Sequence, residues 1–153
     1  MIDPSQLREY VIRPTLMAIG HGAPAAEELL LGTAIQESGL KYLHQIGGGP
    51  AVGLWQMEPT THDDCYATYL DYRGPLRASI VSLSVTQKAE EMAWNLRYAC
   101  AMARIKYLRS PLPLPAAGDV EGMAAMWKQC YNSAGGAGSE EQYVKNWRRV
   151  MGV

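Results

Sequence analysis

Apolar residues recur at helical spacing along nearly all of this 153-residue chain, and proline and glycine cut the pattern into short lengths. A chain built this way folds as short helices packed on one another, because each helix buries a stripe and needs a neighbour to cover it. Asp3 before Pro4 supplies an N-cap with proline at the first helical position, and Leu7, Tyr10 and Val11 continue the spacing. Pro14 should kink or end that helix, with a second piece through Leu16, Met17 and Ile19 stopped by Gly20 and Gly22. The next helix is expected from about Pro24 to Ser38. Glu27 and Glu28 lie at its dipole-favoured start, Leu29, Leu30, Ala34 and Ile35 on its buried face, and Gly39 at its C-terminal cap.

The stretch from Gln45 to Gly53 is too rich in glycine for regular helix. Glu58-Pro59 opens a short helix through Tyr66, Tyr69 and Leu70. The patch Ile80, Val81, Leu83 and Val85 reads as a helical turn or short helix, although its near-alternation also suits a strand. The longest helix is expected from about Thr86 to Arg109, ended by Ser110-Pro111. Pro111, Pro113 and Pro115 form an extended connector. A helix follows over about Val120 to Tyr131, and the last begins at Ser139, spaced from Gln142 as in a capping box. The length suits one domain over 1–153 and not two.

A net charge of −1 and no run of Lys and Arg give no electrostatic footprint for nucleic acid. No apolar run approaches the roughly 18 residues of a membrane span. Met1-Ile2-Asp3-Pro4-Ser5 reads as a helix start and not as a secretory leader, which implies synthesis in a cytoplasm. Cys65, Cys100 and Cys130, odd in number and far apart, fit thiols of a reducing compartment better than a disulfide framework. His44, His62, Cys65, Asp63 and Asp64 include metal-ligand types, but their spacing matches no tight zinc pattern, so no metal or other cofactor is expected. There is no Ser-His-Asp elbow and no phosphate-cradling glycine loop.

Three short runs carry chemistry. Glu37, in Gln36-Glu37-Ser38-Gly39, stands where a helix ends. The negative end of the dipole and partial burial both disfavour its carboxylate, and a raised pKa is what a general acid needs near neutral pH. Gly53-Leu54-Trp55-Gln56 combines a permissive backbone, a flat apolar face for a sugar ring and an amide that both donates and accepts. Cys130-Tyr131-Asn132-Ser133-Ala134-Gly135-Gly136 places a hydroxyl and an amide at a helix exit. Taken singly, each has an ordinary structural reading: a surface glutamate, a turn before a core tryptophan, a glycine-capped helix.

Their order changes the balance. The set resembles the lytic transglycosylase family related to goose-type lysozymes, phage-encoded members in particular, over about Pro24 to Tyr143. In that family a Glu-Ser pair ends a helix, a Gly-Leu-Met-Gln run follows, and an Ala-Tyr-Asn-Ala-Gly run comes much later. Glu37-Ser38 matches the first; Gly53, Leu54 and Gln56 match the second, with Trp55 for methionine. Tyr131 and Asn132 match the third, with Cys130 for alanine and Ser133 inserted. Tyr143 stands where a late tyrosine completes the family's cleft, and Asn95-Leu96 looks like its middle helix.

The resemblance implies a mainly α, lysozyme-like domain, with helices around a substrate groove and little or no β structure. It implies Glu37 as the one catalytic residue, protonating the bridging oxygen and then removing a proton from the sugar's 6-hydroxyl. Ser38, Gly53, Trp55, Gln56, Tyr131, Asn132 and Tyr143 become its substrate-binding set. The implied partner is the glycan strand of peptidoglycan, with virion or lysis proteins delivering a monomeric enzyme to the wall. Two alternatives stay open: a goose-type muramidase, with Asp63 or Asp64 as base for water, and a virion or tail component that binds glycan without turnover.

Overall fold

The computed structural model describes residues 1–132 and 136–153, and these are mainly helical, with no strand among them. Helix α1 (Pro4–Leu7) runs through a π-helical segment, Arg8–Ile12, into α2 (Arg13–Ala18). Asp3 caps its start, Oδ1 accepting from the Gln6 amide at 3.0 Å. Pro14 neither ends nor breaks the run. It has no N–H for the carbonyl of Tyr10, and the wider π spacing lies where that bond is missing, with the Arg13 amide bonding back to Arg8.

Helix α3 (Pro24–Ser38) is the centre of the molecule. Leu29, Leu30, Leu31, Ala34 and Ile35 are all buried, and so are Gly32 and Thr33 between them, so the helix is covered on every side rather than along one face. Each large aliphatic side chain buried here contributes about 1.5–3 kcal/mol. Glu27 accepts from Arg8 at 2.9 Å and Arg13 at 3.1 Å, tying the amino-terminal helices to α3. Gly39 at φ +60° ends α3 with the expected left-handed cap.

Residues 41–57 are irregular, with only two isolated bridges, His44 to Val52 and Val52 to Met57. Helices α4 (Pro59–Thr68) and α5 (Gly74–Val81) follow, joined by a 3-10 turn, Leu70–Tyr72. Ile80 and Val81 are therefore helical and not strand. The long helix expected from Thr86 is divided: a 3-10 turn, Ala89–Ala93, precedes α6 (Leu96–Leu108). Asn95 makes the division by capping α6, Oδ1 accepting from the Tyr98 amide at 3.1 Å. Buried Glu91 holds the preceding loop through the amides of Val85 and Thr86.

Helix α7 (Val120–Met126) passes into a second π-helical segment, Trp127–Asn132. Helix α8 (Glu140–Met151) starts at Ser139, whose Oγ accepts from the Gln142 amide at 3.2 Å. Helices α6 and α8 both pack on α3, and a Thr33–Tyr107 bond of 2.7 Å links α3 to α6. Cys65, Cys100 and Cys130 are all free thiols. No described helix is long and apolar enough to cross a membrane.

Candidate active-site groove

The end of α3, the 41–57 loop, α6 and the second π-segment surround a groove of about 790 Å³. Its lining includes Glu37, Gln56, Tyr131 and Asn132, so one residue or more from each of the three runs reaches it. Glu37 sits part-buried in the wall and its Oε2 accepts from the indole Nε1 of Trp127 at 2.9 Å. Its Oε1 takes no hydrogen bond from the described residues. Burial raises the Glu37 pKa above the ordinary carboxylate value, opposed by the Trp127 bond and by the charge of Lys106.

Lys106, on α6, is the nearby cation that sequence reasoning missed. Its Nζ donates to the carbonyl of Tyr131 at 2.6 Å and lies 4.0 Å from the centroid of that ring. It is thereby fixed in the groove wall rather than ion-paired with Glu37. Burial lowers its own pKa, opposed first by the charge of Glu37.

The second and third runs meet each other. The Tyr131 hydroxyl donates to the carbonyl of Trp55 at 2.7 Å, and its ring stacks on Tyr107 with centroids 5.2 Å apart. Gln56, at φ +48°, turns its amide back to the Gly53 carbonyl at 2.9 Å while lining the groove. The Asn132 amide is engaged on both sides, donating to Ala137 at 2.7 Å and accepting from Lys128 at 2.8 Å. It shapes the groove edge through these bonds.

Four residues expected to contact substrate are not on the groove's lining. Trp55 offers no face to the groove: it is 1% exposed, and its Nε1 donates to the Leu30 carbonyl at 2.8 Å, anchoring the loop to α3. Ser38 is buried and bonds back to the Ala34 carbonyl at 3.1 Å, a helix-internal use of its hydroxyl. Gly53 is needed for its own backbone, at φ +81° with a Cβ position only 2.5 Å from the Met92 carbonyl oxygen. Tyr143 is buried behind the groove wall, its ring 5.6 Å from that of Trp127, so it supports the donor to Glu37 and does not itself line the groove. Ser133, Ala134 and Gly135 lie outside the described residues.

Other side chains take the places so vacated. Tyr42, Gln45 and Ile46 line the groove from the 41–57 loop, and Tyr42 and Ile46 are 42% and 65% exposed. Glu58, exposed at the start of α4, is a second carboxylate on the lining, with Thr61 one turn on. Asp63 and Asp64 are not part of it: Asp63 bonds His62 at 2.8 Å, and Asp64 pairs with Arg109 at 2.6 Å. The nearest signals in the sequence were position alone, since Tyr42 and Glu58 flank the glycine-rich run that had been singled out.

Comparison with protein-family models, with curated proteins and with solved structures finds no match for the chain.

Proposed function

We propose that this chain is a peptidoglycan lytic transglycosylase of lysozyme-like fold that cleaves the β-1,4 bond between N-acetylmuramic acid and N-acetylglucosamine. The observation that carries the reading is the state of Glu37: on the groove's lining, partly buried, biased towards its acid form, with one oxygen held by Trp127. Such a group can deliver a proton to a bridging oxygen. The glycosidic C–O bond then breaks, and the substrate's N-acetyl group stabilises the positive charge that develops at C1. Glu37, now a carboxylate, accepts the proton of the 6-hydroxyl as that oxygen closes on C1. The product is a 1,6-anhydro ring, and the carboxyl ends the cycle protonated as it began.

The remaining lining fits a sugar chain. Tyr42 offers an exposed aromatic face, and Gln45, Gln56 and Gln129 carry amides around an opening of ligand size. Glu58 favours a second reading. A carboxylate on the same lining could activate water, as in an inverting glycosidase, and the chain would then be a muramidase.

Mass spectrometry of digested sacculi separates these outcomes. Anhydro-muropeptides are expected, lost in Glu37→Gln with the helical circular dichroism unchanged. Reducing-end products that disappear in Glu58→Gln would establish the hydrolase instead. Full activity of Glu37→Gln would end both.

A further inference from the structure

Beside the groove lies a second depression of about 690 Å³, which shares Lys106, Gln129 and Cys130 with it. Its character differs. Arg73, Lys106 and Arg109 line it, and no carboxylate is on its lining. Arg73 is held flat 3.7 Å from the Tyr69 ring centroid, with one Nη1 bond of 3.1 Å to the Tyr69 carbonyl. Arg109 is oriented by Nη1 bonds of 2.6 Å to Asp64 and 3.3 Å to Thr68. Both guanidinium groups therefore keep further N–H donors in a fixed plane. Asp64 offsets the charge of Arg109 and Glu37 that of Lys106, which leaves Arg73 without a carboxylate partner among the described residues.

We propose that this basic annex binds carboxylates of the peptide stem borne by the substrate, and so gives the protein a preference for stem-bearing over bare glycan. The proposal rests on the peptidoglycan reading of the adjoining groove. The stem branches from the muramic acid at the scissile bond, so it must leave the groove close to Glu37. Lys106, Gln129 and Cys130 line both depressions, so the annex adjoins the groove where the stem would leave it. Planar guanidiniums fixed by stacking and by one anchoring bond suit carboxylates, which they meet through paired N–H···O bonds. A neutral glycan alone gives this surface nothing to pair with.

The test uses two ligands, a disaccharide-pentapeptide and the same disaccharide without its peptide. Binding to the full chain carrying Glu37→Gln is measured by calorimetry, alone and with Arg73→Glu or Arg73→Lys added. The peptide-bearing ligand should bind up to about five-fold tighter, the effect of a single solvent-touching ion pair. Arg73→Glu should bring the ratio of the two affinities towards one, Arg73→Lys should keep only the part owed to charge, and added salt should shrink it. Equal affinities, no binding of either ligand, or a preference that survives Arg73→Glu would overturn the annex. Turnover is read separately on wild-type protein. Tight, peptide-dependent binding with no product would end the enzymatic reading and leave the annex standing.

Discussion

Gly32 should accept no side chain, although it lies in the middle of a helix. Replacing an interior helical glycine with alanine ordinarily stabilises a protein by about 1 kcal/mol. At Gly32 a Cβ would stand 2.7 Å from Cζ of Tyr143, with the hydroxyl oxygen nearer still. Ordinary contact begins near 3.4 Å, and the hydroxyl as the nearest atom sets the shift, so the side chain would have to retreat by about 1.4 Å. Tyr143 is buried against Trp127 and has no room to yield freely. Overpacking of this kind costs about 1–3 kcal/mol, which cancels or exceeds the propensity gain. A net loss of about 1 kcal/mol lowers the melting temperature by about 2–4 °C in a protein of this size. The displacement also passes from Tyr143 to Trp127 and so to the 2.9 Å bond on Glu37. Loss of a hydrogen bond to a charged group, about 1.5 kcal/mol, would slow turnover about ten-fold. Thermal unfolding and clearing of purified sacculi measure the two effects. A Gly32→Ala protein that is more stable and fully active would refute the packing chain from α3 through Tyr143 to the carboxyl. Tyr143→Phe sharpens the test. Removing its hydroxyl takes away the atom nearest the added Cβ, so this variant should partly rescue Gly32→Ala.

Two further outcomes concern acids in opposite environments. Burial makes the ionised form of Glu37 unfavourable in the folded chain, so wild-type stability should fall, relative to Glu37→Gln, as pH rises above the unfolded value of 4.5. The melting-temperature advantage of Glu37→Gln should be largest in alkaline buffer and vanish below pH 4.5; an advantage that grows on acidification would contradict the burial argument. Glu91 is the reverse, held down to about 2 by the Val85 and Thr86 amides, the Ser84 and Thr86 hydroxyls and Asn95, which together outweigh its desolvation. Its stabilisation, about 3 kcal/mol, is complete above pH 4.5 and disappears as pH falls through about 2, so Glu91→Gln should lose about that much at neutral pH in urea unfolding and little in strong acid.

Local signals were legible in the sequence wherever a residue acts on its own backbone neighbours. Asp3, Gly39 and Ser139 mark helix ends by capping chemistry that reaches three or four residues, and each end lies where that chemistry puts it. Asn95 carries the same kind of signal, but helical spacing on both sides concealed it. The division of the expected Thr86–Arg109 helix depends also on Glu91 gathering amides from a loop five and six residues back. Pro14 shows the converse, a strong local stop overridden because the chain shifts to π spacing and continues. Which way a loop residue points was not legible, in contrast to the buried Leu29, Leu30, Ala34 and Ile35 of α3. Trp55 looked like a sugar platform because it adjoins Gln56, yet a turn at Gly53 sends the two side chains in different directions, one to α3 and one to the groove.

The same distinction divides the candidate site into parts with separate jobs. Ser38, Gly53, Trp55 and Tyr143 fix the frame: a helix end, a close backbone approach, an anchor on α3 and a buttress for Trp127. Gln56, Tyr131 and Asn132 both line the groove and bind its walls together. The groups that set the acidity of Glu37 come from outside all three runs: Trp127 from the π-segment and Lys106 from α6, 90 and 69 positions away in the sequence. Both favour the carboxylate, against the burial that favours the acid. A carboxyl that must first donate and then accept a proton needs that opposition, since burial alone would hold the proton and the cation alone would release it too early. The motif therefore locates the acid, and its long-range neighbours determine whether it can work in both directions.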